Sequence, residues 1–441
     1  MRIWKKRVPP SPEQRLSRDA VMSLVVHFFY QFGASMSGLF LNLYLWRLTE
    51  DLRVSAWFNL LVFAVSPPAF ALAGKIAKQR GCMVVYRLGI ALTALFYLIV
   101  LVSRERVVDA YPLFGLMAGF SGAFYWAAYL TLMYDVSTNA NRVRYLGYNN
   151  IAFTAAGLIG PVVAGWIIAA SGGLSGYMLV FAVAFMMYAL SAAGSFHIRG
   201  VESRRQAYYL KYAAPLMRRS PLWRKSLYGF WIFGLLQGLM LFLPNILLYR
   251  AIPDEEAVGY VTAACSLATI AASYVIARKA RERAARAYLW AGAGGFTLAA
   301  APLLAAPGEA AAVVAFMLTH AVCGPLFGNT LSTYYYRLMG GLPLKGQFRI
   351  ESIVVRETFV NAGRVMSIFA MIVAAPQPES PALVPLLAVV SLAQFGLGYL
   401  VDRHGAVDLR PEAARPDAAA SSSVAKTSKN APPNSLQPPA N

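Results

Sequence analysis

Residues 142–166 read RVRYLGYNNIAFTAAGLIGPVVAGW, a long apolar run that puts glycine and proline where a water-soluble helix would break. Proline lacks an N–H and clashes with the preceding turn, and glycine costs roughly 1 kcal/mol against alanine inside a helix. Counting by fours yields two adjacent stripes, Ala156, Gly160, Ala164 and Gly157, Pro161, Gly165. One helix face then carries almost no side-chain bulk. Helices in lipid gain little from burying apolar surface against one another, so such a face serves close backbone approach. The run reads as a membrane helix packed tightly on a neighbour, with Gly157, Gly160, Pro161 and Gly165 as its packing residues.

The surrounding sequence agrees. The chain of 441 residues is 58% hydrophobic and 14% charged. A spanning helix needs about 20 mostly apolar residues. Twelve such stretches occur, near 21–46, 54–74, 84–103, 108–134, 146–170, 176–197, 226–249, 257–277, 287–306, 310–336, 357–375 and 382–401. Short polar loops separate them, with no room for a separate soluble domain. The first run is a full span without a small-residue cleavage site, so it is expected to remain as helix 1.

A net charge of +20 invites a nucleic-acid reading, but its distribution opposes one. All but five of the 40 Lys and Arg are assigned to the N-terminus, the even-numbered loops or the C-terminus; the exceptions are Arg47, Arg53, Arg104, Arg106 and Arg250. That asymmetry follows the positive-inside rule and predicts both termini in the cytoplasm of a cell whose inner membrane holds the protein. Residues 1–20 form a cytoplasmic segment, 21–197 a first six-helix bundle, 198–225 a basic cytoplasmic linker and 226–402 a second bundle. Residues 403–441, rich in Ala, Ser and Pro, cannot build a core and read as a disordered cytoplasmic tail. Cys82, Cys265 and Cys323 stand isolated, without metal spacing or a disulfide framework. No cofactor or metal is expected.

The two bundles repeat. At an offset of 203, NLYLWR (42–47) falls on NILLYR (245–250), and KIAKQR (75–80) on RKARER (278–283). At 202, SGAFYWAAYLTLMYD (121–135) falls on CGPLFGNTLSTYYYR (323–337). A nearly constant register across helices 1, 2–3 and 4 implies parallel repeats about an axis along the membrane normal.

Twelve helices in two such halves, joined by a basic loop, resemble the major facilitator superfamily over roughly residues 15–402. The helix 2–3 loop pattern of that family, Gly-x-x-x-Asp-Arg-x-Gly-Arg-Arg, survives here as Gly74 and Gly81, with Lys78 at the acidic position and Cys82 at a basic one. The helix 5 pattern ending Gly-Pro-x-x-Gly-Gly survives as Gly160, Pro161 and Gly165, with Ala164 at the first of the final pair. The resemblance implies an all-α integral membrane fold and a secondary transporter, not an enzyme. The helix 5 motif, associated in the family with exporters, tilts direction toward efflux.

In that fold helices 1, 4, 7 and 10 line the substrate cavity. The lining then comprises His27, Tyr30, Gln31 and Ser35, Tyr125, Trp126 and Tyr129, Trp231 and Gln237, and Asn329 and Tyr334. These groups hydrogen-bond or stack, and no Lys, Arg, Asp or Glu is expected at mid-membrane. Since an unpaired ion in low dielectric is costly, the cavity suits a neutral, amphipathic or aromatic solute. His27 and His320 are the candidates for proton coupling, because imidazole titrates near neutrality. A lipid or lipid-linked flippase and a non-transporting receptor or scaffold remain alternatives. The expected partners are a small-molecule or lipid-like substrate and membrane lipids, with no nucleic acid and a monomeric chain. Finally, Asp135, Arg142, Arg144 and Arg337, with Glu351, Arg356, Glu357 and Arg364 around the start of helix 11, are expected to form a cytoplasmic gate that latches when the inside is closed.

Overall fold

The structure, a computed structural model, describes residues 15–137, 141–199, 207–279, 285–306, 308–340, 342 and 348–401. Most of the N-terminal segment, part of the linker and the tail at 403–441 lie outside the described residues. Twelve helices are long and apolar enough to cross a membrane, and no strand occurs among the described residues. We number them α1 (Arg18–Thr49), α2 (Leu52–Arg80), α3 (Cys82–Ser103), α4 (Tyr111–Asp135), α5 (Arg142–Ser171), α6 (Gly173–Ser195), α7 (Pro221–Ala251), α8 (Glu255–Lys279), α9 (Ala285–Ala305), α10 (Ala310–Gly340), α11 (Arg349–Ala374) and α12 (Leu383–Leu400). With twelve crossings, both chain ends fall on one side, here called the terminus end; the opposite side is the far end.

Lipid offers no hydrogen bonds, so each crossing closes its peptide groups internally and turns at residues that tolerate it. Ser17 Oγ accepts from the Ala20 N–H at 3.1 Å to start α1. Asp51 Oδ1 accepts from the Arg53 N–H at 2.8 Å to start α2. Gly81, at φ 96°, makes the corner between α2 and α3. A break at Leu241–Phe242, followed by Pro244, splits α7 into Pro221–Met240 and Leu243–Ala251.

Several boundaries move from the sequence reading, and one matters for function. Helix 11 begins at Arg349 rather than near 357, because Glu351, Arg356 and Glu357 all find partners that let a charged stretch stay helical. Arg364 therefore lies roughly 22 Å along α11 at about 1.5 Å per residue, half-way through the span.

Within each half, contacts recur in the register of the sequence repeat. Asn59 Nδ2 donates to Asn42 Oδ1 at 2.6 Å between α2 and α1, and Thr262 Oγ1 donates to Asn245 Oδ1 at 3.4 Å between α8 and α7. Gly89 of α3 lies against the Tyr125 backbone of α4, and Gly292 of α9 against Phe327 of α10. The halves meet along two seams, α2 with α11 and α5 with α8.

The two stripes of α5 serve different neighbours. On the first, a Cβ at Gly160 would strike Ser35 of α1, whose Oγ donates to the Ala156 carbonyl at 2.7 Å. On the second, a Cβ at Gly165 would come within 2.7 Å of the Glu255 carbonyl of α8, and one at Gly259 within 2.8 Å of the Pro161 carbonyl. The seam continues toward the terminus end, where Ser266 Oγ of α8 donates to the Gly157 carbonyl at 3.1 Å. At Gly157, nearer the terminus end, a Cβ would meet nothing within 4 Å.

Gly89→Ala should lower stability by about 1–3 kcal/mol, because its methyl would sit 2.7 Å from the Tyr125 Cα, where only backbone movement can relieve it. Gly122→Ala, with open space around it, should unfold like wild type in the same detergent melt. Equal melting temperatures for the two variants would remove the close-approach account of α3 and α4.

Candidate functional site

The aromatic residues expected on the cavity wall converge inside the N-terminal half. His27 Nδ1 is hydrogen-bonded to the Tyr125 hydroxyl at 2.6 Å, and its ring stacks on Tyr129 with centroids 3.9 Å apart. Tyr30 stacks on Tyr125 at 3.3 Å, and Tyr86 and Tyr188 extend the cluster. Tyr129 donates to Asn149 of α5. His27, Tyr30, Tyr125 and Tyr129 are all buried, while Trp126 at the edge is half-buried. These rings tie α1 to α3, α4, α5 and α6, with His27 Nε2 and the Gln31 amide nitrogen buried without hydrogen-bond partners. Ser35 is held by α5, as described above.

On the other half, Trp231 is half-buried, Asn329 exposed and Tyr334 buried. His320 stacks on Phe296 of α9 with centroids 4.8 Å apart, away from His27 in the other bundle. Gln237 belongs to a constellation that the sequence reading did not assemble. Arg364 Nη2 donates to Gln237 Oε1 at 2.7 Å, and Nη1 donates to Asn361 Oδ1 at 3.1 Å. The guanidinium lies 4.9 Å above the Phe63 ring of α2, across the seam between halves. The middle of the membrane thus holds a cation, contrary to the expectation of an uncharged cavity. Arg364 stands too deep in the span to join a rim gate with Asp135. A helical spacing was the available signal: Glu357, Asn361 and Arg364 sit at i, i+4 and i+7 on one face.

Each end carries its own cross-half lock. At the far end Arg47 of α1 pairs with Glu255 at the start of α8, and the hydroxyls of Tyr177 and Tyr249 donate to the same carboxylate at 3.1 and 3.3 Å. Gln377 Nε2 donates to Asp51 Oδ1 at 3.1 Å, joining the α1–α2 turn to the segment after α11. Arg250, the repeat counterpart of Arg47, instead pairs with the exposed Glu379 within its own half. At the terminus end Lys78 Nζ lies 3.3 Å from Glu351 Oε1, both side chains buried. The Tyr209 N–H donates to that oxygen at 2.9 Å, and the Tyr208 hydroxyl to the Ala71 carbonyl at 3.0 Å. Lysine in the acidic place of the loop motif therefore meets glutamate on α11. Gly74 fits beneath it, facing Ile350, Val354 and Tyr208. Cys82, buried, donates its thiol to the Ala128 carbonyl of α4.

Of the other residues expected in the gate, Arg356 binds Glu357 on the same helix, at 3.1 Å through Nε. Asp135 is exposed at the end of α4, and desolvation pushes its carboxyl up to about 6 against the opposing charge of Arg349. The side chains of Arg142, Arg144 and Arg337 lie outside the described residues.

The arrangement is two helix bundles with locks at both ends and a charged centre, and the comparisons with known proteins agree with the twelve-helix fold. The family model of the Major Facilitator Superfamily matches residues 23–347, and the chain belongs to that family. It is 27% identical over 396 residues to the uncharacterised protein YqgE of Bacillus subtilis (strain 168), covering 90% of each chain. It is 35% identical over 185 residues to an uncharacterised Geobacillus stearothermophilus protein from the sodM 3' region, covering 42% of this chain and 86% of that one. Among solved structures the fold resembles a bacterial homologue of the iron transporter ferroportin in its inward-facing state, with TM-score 0.66, 14% identity and 88% and 98% of the chains covered. It also resembles the nucleoside transporter NupG, with TM-score 0.65, 13% identity and 87% and 98% covered. The protein is a multi-pass membrane transporter of this fold, not an enzyme.

Breaking a buried ion pair by removing one partner costs about 3–5 kcal/mol. Lys78→Glu and Glu351→Lys should each lower the melting temperature and raise labelling of a cysteine at Ala77. The double exchange should recover most of both readouts. A double variant no better than the singles would show that the two side chains do not stabilise each other.

Proposed function

We propose that the protein is a monomeric secondary transporter that moves a small amphipathic or aromatic solute across the inner membrane by alternating access. The observation that carries this reading is the pair of cross-half locks at opposite ends of the two bundles. Arg47–Glu255 and Asp51–Gln377 join the halves at the far end, and Lys78–Glu351 joins them at the terminus end. The positive-inside charge bias supports a cytoplasmic terminus end. On that orientation the far-end lock is periplasmic and the Lys78–Glu351 lock cytoplasmic, and both are made in this conformation. Rocking the halves about the centre would open one lock at a time.

The neutral-solute reading loses its premise with Arg364 in the span; the amphipathic and aromatic part keeps the support of Trp126, Trp231 and Phe63. The Gly160, Pro161 and Gly165 packing is compatible with the export bias of the helix 5 motif, and efflux is the direction we favour. For proton coupling, His27 is the better placed histidine, because its unpartnered Nε2 offers a proton site among hydroxyls.

Metabolite profiling of cells with and without the protein selects candidate solutes, and uptake into proteoliposomes tests them with and without an imposed pH gradient. Saturable uptake of at least one candidate, stimulated by the gradient and insensitive to it in His27→Gln, is the expected result. No saturable uptake of any candidate, together with rapid flipping of fluorescent lipid, would replace the solute carrier by a flippase.

Topology is tested separately. Single cysteines at Ser171 and Glu105 should react with an impermeant thiol reagent from outside intact cells, and cysteines at Lys211 and Arg219 only after permeabilisation. The opposite pattern would invert the orientation and the identity of both locks.

A further inference from the structure

We propose that Arg364 is an anion-binding subsite and that the transported solute carries a single carboxylate. This rests on the transporter reading above and narrows its substrate class. A guanidinium stays charged at any physiological pH, and in low dielectric it is costly without a countercharge. Yet every partner of Arg364 is neutral: Asn361 Oδ1, Gln237 Oε1 and the face of Phe63. The nearest acid on its own helix face, Glu357, is held by both Nε and Nη2 of Arg356. No described carboxylate lies within ion-pair distance of Arg364.

The geometry of the unused donors points to the ligand. Arg364 Nε is buried with no hydrogen-bond partner, although the residue as a whole is only half-buried. Nε and Nη2 form the edge of the guanidinium that binds a carboxylate through two parallel hydrogen bonds. Gln237 Oε1 now occupies one of those two places, a single carbonyl where a carboxylate would supply two oxygens. Arg356, Glu357 and Arg364 together keep one net positive charge, which favours a monocarboxylate over a phosphate dianion. The Phe63 ring on the facing half would accommodate an apolar body beside the acid. Because Arg364 and Gln237 belong to one half and Phe63 to the other, a bound carboxylate would act at the seam that rocking must rearrange.

The probes are aromatic and aliphatic monocarboxylates, each beside its own primary amide, with inorganic phosphate alongside. Thermal unfolding of the full-length protein in detergent reads binding. At least one acid should raise the melting temperature in a saturable way while its amide and phosphate do not. Arg364→Gln should weaken the half-saturating concentration at least tenfold, and Arg364→Lys, which keeps the charge but loses the fork, severalfold. A purely structural role for the arginine would not produce a loss confined to the acids. Acids and amides acting alike, no acid-selective shift, a phosphate shift as large as that of any acid, or an undiminished shift in Arg364→Gln would each overturn the subsite. Should Arg364→Gln fail to fold, the acid–amide comparison in wild type and Arg364→Lys decides. If the binding acid is not taken up by wild-type proteoliposomes, the transporter reading fails while the subsite stands. If neutral solutes are taken up and no acid binds, the subsite fails alone.

Discussion

A peptide group that enters a bilayer leaves its water behind, and an unpartnered one costs several kcal/mol. Everything in this chain answers to that constraint. Twelve helices satisfy their own backbones, and because lipid competes equally for apolar side chains, they cohere through close contact. Gly89 against Tyr125, its counterpart Gly292 against Phe327, and Gly165 against Glu255 are places where one backbone or ring touches another with no side chain between. Such contacts are short-ranged: a gap of an ångström forfeits much of them. They favour rigid bundles that move against one another as units.

The two seams between those units differ in chemistry. The α5–α8 seam is built from glycine, proline, carbonyl oxygens and the Ser266 hydroxyl, with the Arg47–Glu255 pair at its far end. The α2–α11 seam carries polar groups along its whole length: Lys78–Glu351 at the terminus end, Arg364 over Phe63 at the centre, and Asp51–Gln377 at the far end. Parting that seam would require each buried charge to find a new partner or water. A seam of this kind holds the halves until something at its middle changes the balance, and the centre is where we propose that the solute binds.

The pairing of Lys78 with Glu351 shows that a lysine in the motif's acidic place can still form a charge contact across the halves. What the contact needs is opposite charge in a dry place, with either sign on either helix. The linker adds the Tyr209 N–H to the same carboxylate, so the segment that joins the halves also helps to hold them. Arg47 and Arg250 show the converse. The repeat preserves the residue, but one arginine crosses to the other half and its counterpart stays within its own on an exposed surface, where a pair contributes about 0–1 kcal/mol.

The fold was legible in the sequence because hydrophobic length and the repeat register are properties of the chain itself. The stripes around Gly160 and Pro161, the match of Asn42 with Asn245, and the charge bias of the loops all act through local periodicity. Which ring stacks on which histidine is another matter: Tyr125 and Tyr129 looked like cavity wall, and helix rotation turned them into the core of one half. The start of α11 escaped a hydropathy reading because charged residues between 349 and 357 look like a loop until their partners are known. Once Glu351 has Lys78 and Arg356 has Glu357, the helix extends and Arg364 moves from the rim to mid-membrane. The sequence alone thus determined that the chain crosses the membrane twelve times in two related halves, since those traits follow from the period and length of apolar runs. Only the tertiary structure decided where its buried charges stand, because a charge is tolerated in lipid only through partners contributed by other helices.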